Sequence, residues 1–289
     1  MHFKRLALIG CGLMGGSFAL ALREAGLVAH IAGYSASEGS RQKALQMGAI
    51  DEACASIAQA VADADLVLLA VPVAMTASCL GEMQPALSAN ALVMDVGSTK
   101  TDVVHAAREK LGDKLSGFVP AHPIAGKEMA GIEHAEAALY RDRLVVLTPL
   151  DETRAEQLSL ARQVWQALGS QVQQLSPQDH DAAFAAVSHL PHLTAFALVH
   201  ALAQQPQGEL YLSMAGPGFR DFSRIAASDP SVWRDILLAN REEVLRQADL
   251  MRSALHQFET AMRSGDAQSL ARLIESASRV RAQWQLSGK

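Results

Sequence analysis

What this chain has little of narrows its reading before any motif is met. Phe, Trp and Tyr make up 5% of 289 residues, and alanine-rich stretches dominate the second half. That favours close-packed helices over a β-sandwich there. Only three cysteines are present (Cys11, Cys54 and Cys79), an odd number at no zinc spacing, so a disulfide framework or a zinc site is not expected. Surplus positive charge is missing too. Twenty-five Lys and Arg stand against 30 Asp and Glu, a net charge of −5 without long blocks of either sign, which argues against a nucleic-acid partner. No stretch reaches about 18 uninterrupted apolar residues, so no membrane span is expected. The short run Leu6-Ala-Leu-Ile-Gly10 before Cys11 falls below the roughly 7–15 residues of a signal h-region. The chain reads as a reduced, cytoplasmic protein.

What is present is a globular composition, 49% hydrophobic and 19% charged, at a length that suggests about two domains. Residues 1–175 alternate short apolar runs with amphipathic segments, the pattern of βαβ units. Strands are expected at Arg5–Ile9, Ala29–Tyr34, Leu66–Ala70, Ala91–Val96, Gly117–Ala121, Leu144–Thr148 and Gln171–Leu175. Helices are expected at Gly16–Ala25, Arg41–Met47, Val73–Glu82, Thr101–Leu111 and Thr153–Leu168. Several strands are nearly all apolar, as a parallel sheet covered on both faces requires. The fold class is therefore α/β: an N-terminal Rossmann-like, doubly wound sheet domain. After Ser176-Pro177 the strand signal stops, and residues 176–289 read as an all-α C-terminal domain. Gln178–Gln204 reads as a helix buried on most sides, and Gln205–Gly218 interrupts it. Asp229-Pro230 reads as an N-cap with proline at the first helical position, and a last helix is expected from about Asp266 to Trp284.

The segment Leu6-Ala-Leu-Ile-Gly10-Cys-Gly12-Leu-Met-Gly15 runs from a strand through GxGxxG into a helix. Gly10 suits the tight turn, Gly12 the approach of backbone to a pyrophosphate, and Gly15 the packing of helix on strand. The helix N-terminus supplies free N–H groups and a positive dipole end. About 20 residues on, an acid would bind the ribose hydroxyls of NAD. Gly33-Tyr34-Ser35-Ala36-Ser37 has none, so nothing there repels a 2′-phosphate, and Ser35, Ser37 and Arg41 could hold it. NADP is expected ahead of NAD, although the same residues would also suit an ordinary loop in an NAD enzyme.

Three polar clusters stand out from the apolar background. Asp95-Val-Gly-Ser98-Thr-Lys100 and His122-Pro-Ile-Ala-Gly126 both follow the carboxyl ends of expected strands, where ligands bind in doubly wound sheets. His122 is thus a candidate acid–base group and Ser98 its candidate orienting partner or a substrate contact. Taken alone, a histidine such as His122 is more often a capped strand-end residue than a catalyst. On the apolar helix, Ser188 and His192 stand four apart on one face, with His189 about 100° away. A metal is not expected at this HxxH: no Asp, Glu or Cys stands at useful spacing, and Pro191 distorts the turn. That helix segment is the third cluster; Arg220 and Arg224 lie further on, near a helix junction. Such an arginine either binds a substrate carboxylate or pairs with Asp221 or Asp229.

Together these pieces resemble the prephenate/arogenate dehydrogenase family of tyrosine biosynthesis. They are Gly10-Cys-Gly-Leu-Met-Gly-Gly-Ser17, Ala70-Val-Pro72, Asp95–Lys100, His122–Gly126, Ser188-His-Leu-Pro-His192 and Phe222–Asp235, in family order across nearly the whole chain. The resemblance implies oxidative decarboxylation of a cyclohexadienol acid, prephenate or arogenate, with hydride passing to a nicotinamide. It implies that His122 accepts the ring hydroxyl proton and that Ser98 holds the imidazole or that hydroxyl. It further implies that Ser188, His192 and Arg224 bind substrate, that Leu13, Met14 and Val71 touch the cofactor, and that the helical domain makes a homodimer. Lys127 and Glu128 could tune the choice between keto and amino side chains, and Trp233 could wall the pocket or belong to the core. Two rival readings are a β-hydroxyacid dehydrogenase and a dinucleotide sensor without turnover. The first relies on a lysine in the second domain, and residues 178–285 contain none.

Overall fold

The computed structural model describes residues 1–126 and 129–284. Six strands form a parallel sheet: β1 (Phe3–Ile9), β2 (Val28–Tyr34), β3 (Glu52–Ala53), β4 (Leu66–Leu69), β5 (Leu92–Asp95) and β6 (Phe118–Val119). Their order is β3-β2-β1-β4-β5-β6. Helices α1 (Leu13–Glu24), α2 (Glu38–Gln46), α3 (Ile57–Val61), α4 (Thr76–Met83) and α5 (Thr101–Lys110) connect them. β4 and β5 are buried throughout, which explains the unbroken apolar run of β4 and of β5 as far as Met94. The strand order reverses between β1 and β4, so a crevice opens beyond their carboxyl ends. The sequence reading overlooked β3 and α3. Both are short and sit in the alanine-rich stretch Glu52–Val61, which carries almost no periodicity.

The expected strand over Gly117–Ala121 is two strands in two sheets. β6 ends at Val119, and β7 (Ala121–Pro123) pairs antiparallel with β8 (Leu144–Leu147), which runs parallel to β9 (Gln171–Gln174). Pro120 between them has no N–H to donate to a ladder. The Ala121 N–H is instead taken by Asp95 Oδ1 at 3.0 Å, which ties β7 to the end of β5. Helix α6 (Ala155–Ala167) links β8 to β9. Two buried apolar clusters cover the two faces of the large sheet. In one of them Phe18, Tyr140 and Trp165 meet edge to face at 5.1–6.4 Å.

Among the described residues no strand follows Gln174. α7 (Pro177–Phe184), a π-turn at Ala185–His189 and α8 (Leu190–Ala203) make one helix of 27 residues. By length and composition it could cross a membrane, yet only 22% of its most apolar stretch is buried. The expectation of a helix buried on most sides is therefore corrected: within one chain, one face packs on neighbours and the other lies open, with Val187 71% exposed. Beyond it come α9 (Gly208–Ser213), inside the expected interruption, and α10 (Pro217–Ser223). A 3-10 turn at Arg224–Ala227 then leads to α11 (Pro230–Ala239), α12 (Arg241–Ser264) and α13 (Ala267–Gln283). Asp229 caps α11, accepting from the N–H groups of Ser231 and Val232 at 2.8 and 3.1 Å.

Candidate active site

The turn after β1 has the geometry a dinucleotide needs. Gly10 has φ +105°, and a Cβ there would lie 2.1 Å from the Ala70 carbonyl oxygen. A Cβ on Gly15 would lie 2.1 Å from the Gly10 carbonyl oxygen, so α1 passes directly over the turn. Gly12 differs: nothing stands within 4 Å of its missing Cβ. It is also the N-cap of α1, with no side-chain cap and no acid in the first turn, so the first N–H groups face open space. Cavities lie on either side of this point. One of about 360 Å³ is lined by Leu13, Met14, Val71, Ser98 and Trp233, the other of about 310 Å³ by Gly10, Tyr34, Ser35, Ile57 and Val71. The pair fits a dinucleotide, with its pyrophosphate at Gly12 between them.

At the end of β2, Ser35 lines the smaller cavity. The Ser37 hydroxyl accepts from the Ser40 N–H at 3.2 Å and caps α2. Arg41 Nη1 donates to the Ser35 carbonyl, and the guanidinium lies 5.9 Å from the Tyr34 ring centroid. Burial pushes the Cys11 thiol up to about 12, so this cysteine beside the turn is an inert thiol.

His122 stands on β7, and its Nδ1 lies 2.8 Å from His180 Nε2. His180 Nδ1 in turn lies 2.8 Å from Asp181 Oδ1. Asp181 also accepts the Lys100 N–H at 2.9 Å and the Thr101 N–H at 2.8 Å, thereby capping α5 from a helix 80 residues away. Asn240 donates to the Asp181 carbonyl at 2.8 Å and lies 3.1 Å from His189 Nδ1. Lys100 is wholly buried and pairs with Asp95. Burial pushes the His122 pKa well below its ordinary value, and the neighbouring His180, Lys100 and His189 push the same way. Burial likewise lowers His189, to about 4. The imidazole of His122 is thus neutral near pH 7 and free to take a proton. Its neighbour is His180 rather than Ser98, whose place is in the lining of the larger cavity.

His192 stacks face to face on Trp233, centroids 3.5 Å apart at 18°, and its Nδ1 donates to the Ser188 carbonyl at 2.9 Å. Burial lowers its pKa, and the nearby charge of Arg224 pushes the same way. Trp233 lines the larger cavity along with Ser228, Val232 and Ile236. Ser98, Trp233, His192 and Arg224 therefore gather around one end of the cofactor crevice. Lys127 and Glu128 lie outside the described residues. Sequence reasoning missed His180, Asp181 and Asn240. The available signal was Asp179-His-Asp181, a histidine flanked by acids at the start of an apolar helix. Among the described residues no cluster of three metal-ligating side chains is found.

Known proteins resemble this chain over nearly its whole length. Residues 18–174 match the family model for the prephenate dehydrogenase nucleotide-binding domain, and residues 176–276 match that for its dimerization domain. The chain belongs to the prephenate dehydrogenase family. Members of this family are NAD(P)-dependent oxidoreductases, and this chain is one. A cyclohexadienyl dehydrogenase from Zymomonas mobilis is 32% identical, over 96% of this chain and 95% of that protein. A prephenate dehydrogenase from Bacillus subtilis is 33% identical over 94% and 74%. Among solved structures, prephenate dehydrogenase from A. aeolicus with hydroxyphenyl propionate and NAD+ superposes with a TM-score of 0.92 at 36% identity, over 98% and 99% of the two chains. Arogenate dehydrogenase from Synechocystis gives 0.83 at 31%, over 98% and 100%.

Proposed function

We propose that the chain oxidises and decarboxylates prephenate, arogenate or both in tyrosine biosynthesis, with His122 as the acid–base group. The observation that supports the mechanism is His122 on β7 with its Nδ1 held 2.8 Å from His180 Nε2, in surroundings whose burial favours the neutral imidazole. Bound in the crevice, the oxidised nicotinamide supplies the hydride acceptor. Gly10, Gly12, Leu13, Met14, Gly15 and Val71 hold it there. His122 takes the proton of the ring hydroxyl as that carbon gives up hydride. The bond to the departing carboxylate breaks, carbon dioxide leaves, and its electron pair enters the ring. The ring becomes aromatic, and His122 returns the proton to the phenolic oxygen, so the cycle consumes no net proton. Ser98 contacts the reacting hydroxyl, a role its cavity position supports. Ser188 and His192 line the substrate side, and Arg224 pairs with a substrate carboxylate.

The absence of a carboxylate at Ser35–Ser37 and the guanidinium of Arg41 support NADP ahead of NAD. Residues 1–175 form the cofactor-binding unit, and 176–289 the substrate and dimerisation unit. The open apolar faces of that unit support a homodimer, and three free, buried cysteines suit the reducing cytoplasm.

Two experiments test the reading. The protein is mixed with prephenate or arogenate and with NAD or NADP, and reduced-cofactor absorbance is followed. Turnover with at least one pair is expected, fastest with NADP; NAD-only turnover overturns the roles given to Ser35, Ser37 and Arg41. The substitution His122→Asn should then lower kcat by about 10²–10⁴, roughly 3–5 kcal/mol, with KM nearly unchanged. An unaltered kcat removes His122 from the mechanism.

A further inference from the structure

We infer that His180 and Asp181 are positioning residues that set the tautomer of His122, so that its Nε2 presents a lone pair to the substrate hydroxyl. The inference rests on the proposed role of His122 and follows from the hydrogen-bond geometry, with burial deciding the charge of His180. Asp181 takes two backbone N–H donors, Lys100 on Oδ1 and Thr101 on Oδ2, and both need acceptor oxygens. Burial by itself raises the Asp181 pKa, but the bonds from His180, Thr101 and Lys100 outweigh it and hold the carboxyl ionised. Having no proton to give, Asp181 compels His180 to carry its hydrogen on Nδ1, the atom 2.8 Å away. Burial keeps His180 neutral, so its Nε2 is a bare acceptor. The nitrogen facing it at 2.8 Å, Nδ1 of His122, must therefore be the donor. One position remains on His122: a lone pair on Nε2, the form a general base requires.

The frame around these rings has little freedom. Phe184 packs against His122 and His180 at 4.8 and 4.5 Å between centroids. Asn240 holds the Asp181 backbone from α12, while Asp95 holds the strand that carries His122. The charged and titratable groups facing the pair are Lys100 with its partner Asp95, then Asp181 and His189. Lys100 disfavours a second positive charge on either imidazole. Because the reaction releases no net proton, the chain of rings has no proton to carry away. Its task is to direct the lone pair and to accept the Nδ1–H bond of His122 when the ring is transiently charged.

The test is a double-mutant cycle on the full chain, read as kcat, KM, the cofactor dissociation constant and the thermal midpoint. His180→Leu should lower kcat about 10–100-fold, the usual range for a residue that orients a reacting group, with KM and cofactor binding within about twofold. His180→Gln, whose carboxamide oxygen still accepts from His122 Nδ1–H, should recover most of that loss. In a His122→Asn background, His180→Leu should slow the enzyme no further, because His180 acts only through His122. If His180→Leu does not fold, the same cycle is run with His180→Ala, which also removes the acceptor. A slow His122→Asn beside a His180→Leu at wild-type kcat overturns this inference alone, as do losses that simply multiply in the double variant. A His122→Asn at wild-type kcat overturns the base assignment and this inference with it.

Discussion

The two regions of this chain bury their apolar residues very differently. Both buried clusters lie wholly within residues 3–168 and include Trp165, Tyr140 and Phe18 without exposed surface. Among the described residues after 176 the buried hydrophobic side chains are Phe184, Ala185, Ala195, Ile236, Val244, Ala248 and Ala261, and four of these seven are alanines. On the long helices Leu250, Met251, Leu255 and Met262 are 41–59% exposed, and α13 buries no residue at all. A parallel sheet covered by helices on both faces encloses its own core. A set of helices with one open apolar face needs another surface to complete it. The glycine turn of the cofactor crevice belongs to the first region, while Ser228, Val232, Trp233 and Ile236 of the second close its larger cavity. The residues proposed to grip substrate belong to the second.

That contrast can be broken by measurement, and the largest effect is expected in the first region. Trp165→Ala should destabilise by about 3–5 kcal/mol, by an amount independent of protein concentration in denaturant titrations. A concentration-dependent loss would mean that the sheet region does not stand on its own core. Next comes acid. His189 has a folded pKa of about 4 against an ordinary 6.5, so below pH 6.5 the unfolded state binds the proton first. Stability should therefore be fully present above about pH 6.5 and fall by roughly 3 kcal/mol as pH drops to 4, with His122 acting in the same direction. His189→Phe should flatten that part of the curve. A slope unchanged by the substitution would place the sensitivity elsewhere.

Paired changes on the open face of α12, Met251→Glu with Leu255→Glu, should weaken self-association by at least about tenfold, or 1.4 kcal/mol, in sedimentation across a concentration series. Dimers of unchanged affinity would show that this face is not the covered one. Smallest is Arg224→Gln, expected to raise KM about tenfold while kcat stays within about twofold, measured in steady state. A normal KM would remove the arginine from carboxylate binding.

Much of the scaffold was legible from residue order. The glycine turn, the parallel strands, the Asp229 cap and the end of strand structure near residue 175 all depend on neighbours a few positions away. The break at Pro120 was equally local, and a proline inside an expected strand was its signal. The open face of the helix Pro177–Ala203 was not legible, because an apolar helix reads alike whether its own chain or a second surface covers it. His180 and Asp181 went unnoticed because their work is done 58 residues from His122 and 80–81 from α5.

The sequence by itself determined the cofactor turn, the α/β-then-helical plan and the residue types that chemistry requires, since these follow from φ preferences, periodicity and short motif spacing. Only the tertiary structure decided that the partner of His122 Nδ1 is His180, with Ser98 in the cavity lining. It alone also seats a wholly buried Lys100 beside both histidines. Hydrogen-bond direction and desolvation depend on which distant groups meet in space, and no local pattern of residues encodes that meeting.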